Sequence, residues 1–233
     1  MRISEWKHAV WPALPETENW DFRESMCYRL PVERVLIGIL GEGSGFDKGA
    51  YIWRVSMPLF VPSDIVDLSW SERVGGRAHK FYKLDEEEIG RAIRQAFEGL
   101  EDEEMSLHRM ATRETESSRN RRVHEVVGYA QLLLGDVAAA RASLSRAASV
   151  GVRSTAEQGV IDRVHHIIGL LDEEGIERAV DQLDQWCTAT ADALGLRRSA
   201  ASDQRAGPAG RATRAIDVWR CDSLGITSLK YNV

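Results

Sequence analysis

Four places in the chain set residues of reactive type near one another. His165-His166 lies close to Asp162 and Glu173, and imidazoles with carboxylates are the ligands of zinc and related metals. Successive residues on a helix point about 100° apart, so neighbouring histidines do not readily share one ion. The metalloprotease pattern spaces its histidines four apart with a glutamate between, and His124-Glu125 has no second histidine at that spacing. The spacing therefore places one histidine at a helix interface and one in solvent, with no metal. Gly41-Glu42-Gly43-Ser44-Gly45 has the glycine density of a phosphate cradle. A dinucleotide loop needs its third glycine before a helix, whereas here Phe46 takes a loop position and a strand pattern follows. The Gly-Lys-Ser/Thr ending of a P-loop is absent, and Glu42 stands where a nucleophile elbow needs glycine. Asp64, Asp67, Glu72 and Arg73 surround a strand end. With the Gly41–Gly49 loop they would line the pocket of an enzyme of unassigned class; alternatively Asp67 and Ser69 are a solvent face. Cys27 and His79 could form a thiol–imidazole pair, but nothing local supports it, and a lone cysteine reads as a small buried group. No catalytic or cofactor-binding residue is expected.

The elements that would carry these residues change character along the 233 residues. Up to about residue 83 the pattern is β. Val32 to Leu40 is a short apolar run. Tyr51, Trp53, Val55, Met57, Leu59 and Val61 alternate, so they point to one face, with Arg54, Ser56 and Pro58 on the other. Pro58 lacks an N–H and marks an edge or a bulge. Val66, Leu68 and Trp70 give a second half-buried strand, and Lys80 to Lys83 a short last one. Short connections favour antiparallel pairing. Asp85 is placed to cap a helix whose apolar positions are Ile89, Ile93, Ala96, Phe97 and Leu100. From Arg121 to Leu194 the periodicity is helical in two pairs, reversing at Gly135-Asp136 and Glu174-Gly175, where glycine adopts the left-handed cap conformation. The expected fold is α+β: an N-terminal antiparallel sheet with a covering helix, then a helical-hairpin bundle. The expected boundaries are 1–104 for the α+β domain, 105–120 for a charged connector, 121–194 for the hairpins and 195–233 for a largely disordered tail, with a further strand possible after residue 216.

Charge bears on partners. The net charge is −6, which argues against nucleic acid, and the arginine-rich stretch 197–220 has only Trp219 to stack on a base. Asp85 to Glu104 holds nine acidic residues against two arginines, a surface for a basic partner. Cys27, Cys187 and Cys221 are too far apart and too few for a disulfide framework, so a cytoplasmic setting is expected. Neither a secretory signal nor a membrane span is visible in the sequence, and no membrane partner is expected.

Val123 to Val150 resembles a tetratricopeptide-type unit. Gly128, Gly135, Ala140 and Ala147 fall where that motif has small residues, and Leu144 takes its large apolar position. His124 stands where the motif has tryptophan, Gln131 where it has tyrosine and Val152 where it has proline. The likeness covers this hairpin well and the second pair loosely. It implies protein–protein contact. The N-terminal part is similar to bacterial α+β modules, a likeness that implies no particular activity. Five of the seven tryptophans lie in the first 70 residues. Trp53 and Trp70 fall on core faces by alternation, which leaves Trp6, Trp11 and Trp20 as surface candidates. The expected function is a non-enzymatic interaction module, immunity- or inhibitor-like, taking a basic protein through Trp6, Trp11, Trp20, Glu101, Asp102, Glu103, Glu104, His124 and Gln131.

Overall fold

A computed structural model describes residues 3–16, 18–43, 50–74, 86–113, 118, 120–149, 155–199, 218–222 and 225–229. Asp85, the Lys80–Lys83 strand, His79, the end of the Gly41–Gly49 loop and residues 200–217 of the expected tail lie outside these. The contacts divide the chain into two units, one of residues 1–57, 63–101 and 191–233, the other of 58–62 and 102–190. Together they form an α+β protein.

The first unit opens on a helix rather than on β structure. α1 spans Ile3–Val10, and Trp6 and Val10, one turn apart, are both fully buried. The sheet is antiparallel, five strands in the order β1-β2-β3-β4-β6: β1 Asn19–Arg23, β2 Met26–Leu30, β3 Val35–Gly43, β4 Ala50–Pro58 and β6 Glu72–Arg73. β1 and β2 form a hairpin in which Phe22 faces Cys27. Its turn holds Glu24 at φ 50°, a conformation uncommon outside glycine, asparagine and aspartate. α2 spans Glu86–Glu98 and covers one sheet face. Trp6 and Val10 pack there with Ile93, Ala96 and Phe97 of α2 and with Cys27, Ile39 and Ile52 of the sheet.

This covering corrects two details of the alternation. β4 is apolar on both faces, because Ile52 lies under the helices while Val55 and Met57 are buried on the opposite side. The strand stops at Pro58, three residues short of the expected Val61. Of the second strand only β5, Val66–Asp67, remains. It pairs in parallel with β7, Val218–Asp222, which forms a hairpin with β8, Gly225–Leu229. Residues 195–199, expected in the tail, are docked: the Val32 amide donates to the Arg198 carbonyl at 2.9 Å and the Arg197 amide to the Tyr28 hydroxyl at 2.9 Å.

The second unit is helical: α3 Glu103–Ala111, α4 Arg121–Leu133, α5 Val137–Ser149, α6 Thr155–Glu173, and α7 Ile176–Ala193 up to Thr190. The stretch read as a connector begins as α3, capped by Asp102, whose Oδ1 accepts from the Met105 amide at 2.7 Å. Leu107 and Met110 are buried, and α3 packs on α4. Gly135 and Gly175 take φ 83° and 93°, the left-handed caps expected at the two reversals. Asp136 then starts α5 by accepting from the Ala139 amide at 3.0 Å. α4 is the central helix, with His124, Glu125, Val126, Val127, Gly128, Tyr129 and Ala130 all buried. Among the described residues no helix is long and apolar enough to cross a membrane.

Candidate functional site

The residues singled out from the sequence are placed very differently by the fold. Trp6, expected at the surface, is fully buried in the helix–sheet core; one turn from Val10 on α1, it is held inward by α2. Trp20 is half-buried and meets Phe97 edge-on at 5.0 Å. Trp11 alone of the three stands out, 69% exposed, stacked on Phe22 at 6.0 Å with the Lys7 ammonium 5.6 Å from the Phe22 centroid. His124 is buried, its Nε2 at 3.0 Å from the Ser118 carbonyl. Gln131 is half-buried, donating to the Ala111 carbonyl at 3.0 Å and accepting from the Ser143 hydroxyl at 2.8 Å. Both therefore tie α4 to its neighbours. In the acidic block Glu101 and Glu103 are half-buried, while Asp102 and Glu104 are exposed. Met105 beside them is 57% exposed.

Asp64, Asp67, Glu72 and Arg73 are taken up by different neighbours. Asp64 is exposed. Asp67, expected on a solvent face, is buried and accepts from the Ser69 amide at 2.9 Å, because the strand ends there in a local turn. Glu72 pairs with Arg54 at 2.8 Å, and Arg54 also donates to the Gln95 and Ala96 carbonyls at the end of α2. That is where a cation meets the negative end of a helix.

Arg73, the next residue on β6, points to the opposite face. Its guanidinium lies 3.9 Å from the Tyr51 centroid and 4.7 Å from that of Trp53, the residue directly across the ladder. The Trp53 indole in turn donates to the buried Glu42 carboxylate at 2.8 Å. The Arg73 Nε is itself buried and has no hydrogen-bond partner among the described residues. Arginine, two rings and carboxylate form a rigid polar–aromatic platform at the edge of the sheet, able to hold an anion or a flat group. Alternation puts Trp53 on a core face and Arg73 stands at a strand end, but their pairing is hidden in the sequence because β6 is only two residues long.

The helical unit holds a buried ion pair. Glu125 on α4 is fully buried and receives two bonds from Arg163 on α6, at 2.7 and 3.1 Å. Burial pushes the Glu125 carboxyl up against the downward pull of Arg163 and Arg122. Burial, then the Glu125 charge, also raises the Tyr129 phenol, whose hydroxyl lies beside that carboxylate. The Tyr129 ring packs between Phe60 and Trp186. Perturbed groups cluster at active sites but also at structural ion pairs, and a carboxylate with no water access is an interhelical clasp. On the sheet, burial raises the Tyr28 phenol to about 12 and also pushes the Cys27 thiol up, so neither is activated. His165 is exposed and His166 meets Gln182 at 3.2 Å. No group of three or more histidine, cysteine or acidic side chains is placed to hold a metal ion among the described residues.

The molecule is thus an α+β protein in which an antiparallel sheet under two helices carries an aromatic–arginine platform, and a helical unit carries a buried ion pair. No protein-family model, curated protein or solved structure matches the chain.

Proposed function

We propose that the protein is a non-enzymatic protein-binding module whose partner is basic, in the manner of an immunity or inhibitor protein. One observation carries the reading: among the described residues the most exposed large apolar side chains are Trp11 at 69% and Met105 at 57%, and Met105 sits in the acidic turn with Asp102, Glu103 and Glu104. An exposed tryptophan on an aromatic neighbour is the kind of anchor that dominates interfaces. A methionine adapts to partner surfaces of varied shape, and surrounding carboxylates speed the approach of a cationic partner. The likeness of the α4–α5 hairpin to a tetratricopeptide-type unit adds support by analogy. Immobilised full-length protein and the variants Trp11→Ala and Met105→Ser with Glu104→Lys separate the outcomes. The wild type retains a defined protein of net positive charge from cell extract, released by salt, and at least one of the variants retains it about tenfold more weakly. Equal recovery on wild type and both variants, or retention indifferent to salt, overturns the reading.

A further inference from the structure

We propose that Arg73 anchors a binding site for a small oxyanion, a carboxylate or phosphate group carried by a ligand, at the β4–β6 edge of the sheet. The first support is the contrast between two arginines of one ladder. Arg54 is fully engaged, with Glu72 and two helix-end carbonyls around its guanidinium. Arg73 has two aromatic ring faces and, among the described residues, no acidic partner. Ring faces hold a guanidinium through its charge and its flat surface, leaving the in-plane N–H donors unused.

The second support is the Arg73 Nε, buried with no acceptor among the described residues. Native structures rarely bury a charged donor unsatisfied, and an unbound ligand is one of the few physical reasons for it. The guanidinium fork matches the spacing of two oxygens on a carboxylate or phosphate, so such a ligand satisfies Nε–H and a neighbouring N–H together. The third support is rigidity. Trp53 is pinned by its indole bond to buried Glu42 and by its place opposite Arg73. The arginine is therefore held in position before any ligand arrives, which lowers the ordering cost of binding. The Glu42 carboxylate at the far end of the indole is an opposing charge that weakens the site, and this sets the sign of one variant below.

The site is independent of the protein-binding reading, since it uses neither Trp11 nor the acidic turn. The test titrates the full chain with inorganic phosphate and, separately, with acetate, ionic strength being held constant with chloride. Tryptophan fluorescence and the thermal midpoint are read together. The expected result is a saturable change with at least one of the two anions. It weakens about tenfold in Arg73→Lys, which keeps the charge and loses the fork. It vanishes in Arg73→Gln and tightens severalfold in Glu42→Gln. Response to phosphate alone marks a phosphoryl ligand, and response to acetate alone a carboxylate ligand. The proposal is overturned if neither anion acts beyond chloride, if the response survives in Arg73→Gln, or if Arg73→Lys binds as the wild type does. Should Arg73→Gln fail to fold, the lysine variant alone decides.

Discussion

At the residue scale the Glu125–Arg163 pair sets the terms. Removing Arg163 leaves a fully buried carboxylate without its bidentate partner, a loss typically worth about 3–5 kcal/mol. Arg163 keeps some exposure, 22% of its side chain, so most of the penalty falls on Glu125. The sign of the pH dependence follows from burial. The folded Glu125 carboxyl already titrates above its ordinary 4.5, and loss of Arg163 raises it further. A raised acid favours the folded state below the unfolded value and loses that advantage as pH rises through the folded one. Arg163→Met is therefore expected to be strongly destabilised at pH 7 and much less so near pH 4, in urea denaturation at both. Equal losses at the two values contradict the assignment. None of this was legible in the sequence. Glu125 and Arg163 are 38 residues apart, and in the sequence Glu125 stands out only as a neighbour of His124. His124 and Gln131 misled for the same reason: polar residues stand where the repeat-like hairpin has aromatic positions, and the fold turns His124 to the Ser118 carbonyl and Gln131 to the end of α3.

Helices were more legible than strands, and the reason is periodicity. α4 to α7 each run thirteen residues or more, long enough for the apolar spacing and the glycine caps to agree. α1 has eight residues, of which Trp6 and Val10 alone are buried, and prolines at 12 and 15 obscured it. The β1–β2 hairpin turns on Glu24-Ser25, without glycine or asparagine to announce it. The small-residue signal at Gly128 was read from the sequence, and it yields a prediction about the element itself. A Cβ there would lie 2.7 Å from both Leu144 Cγ and Cδ2 and 3.3 Å from the Ala140 carbonyl. Overpacking of that kind costs about 1–3 kcal/mol, against a helix-propensity gain of about 1 kcal/mol for replacing glycine by alanine. Gly128→Ala should thus be net destabilising. Gly169 on α6 has nothing within 4 Å of such a carbon, so Gly169→Ala should be stabilising by up to about 1 kcal/mol. Chemical denaturation of the two variants gives opposite signs if close helix approach at Gly128 is what the hairpin requires, and the same sign if propensity alone decides.

At the scale of the whole molecule, the chain leaves the sheet unit after Glu101 and returns at Ala191, so that unit is completed only by residues made ninety positions later. The returning segment bonds through backbone and side chains alike. Arg198 receives the Val32 amide, and its guanidinium donates back to the Val32 carbonyl at 3.3 Å. Tyr28 donates to Asp21 at 2.9 Å while accepting from the Arg197 amide. Leu194 and Leu196 are buried. Closing so long a loop costs entropy that these contacts help offset, and burying one leucine side chain contributes about 1.5–3 kcal/mol. Two variants isolate the segment. A chain ending at Leu194 should lose hydrogen-exchange protection at the Val32 amide and melt at lower temperature. Leu196→Ala, which keeps every later residue, should cost about 2–5 kcal/mol and weaken protection at Val32 in the same direction. If the shortened chain kept Val32 protected, or if Leu196→Ala left the amide and the melting point unchanged, the return of the chain would be a passive tether, and the sheet unit would be complete by residue 101.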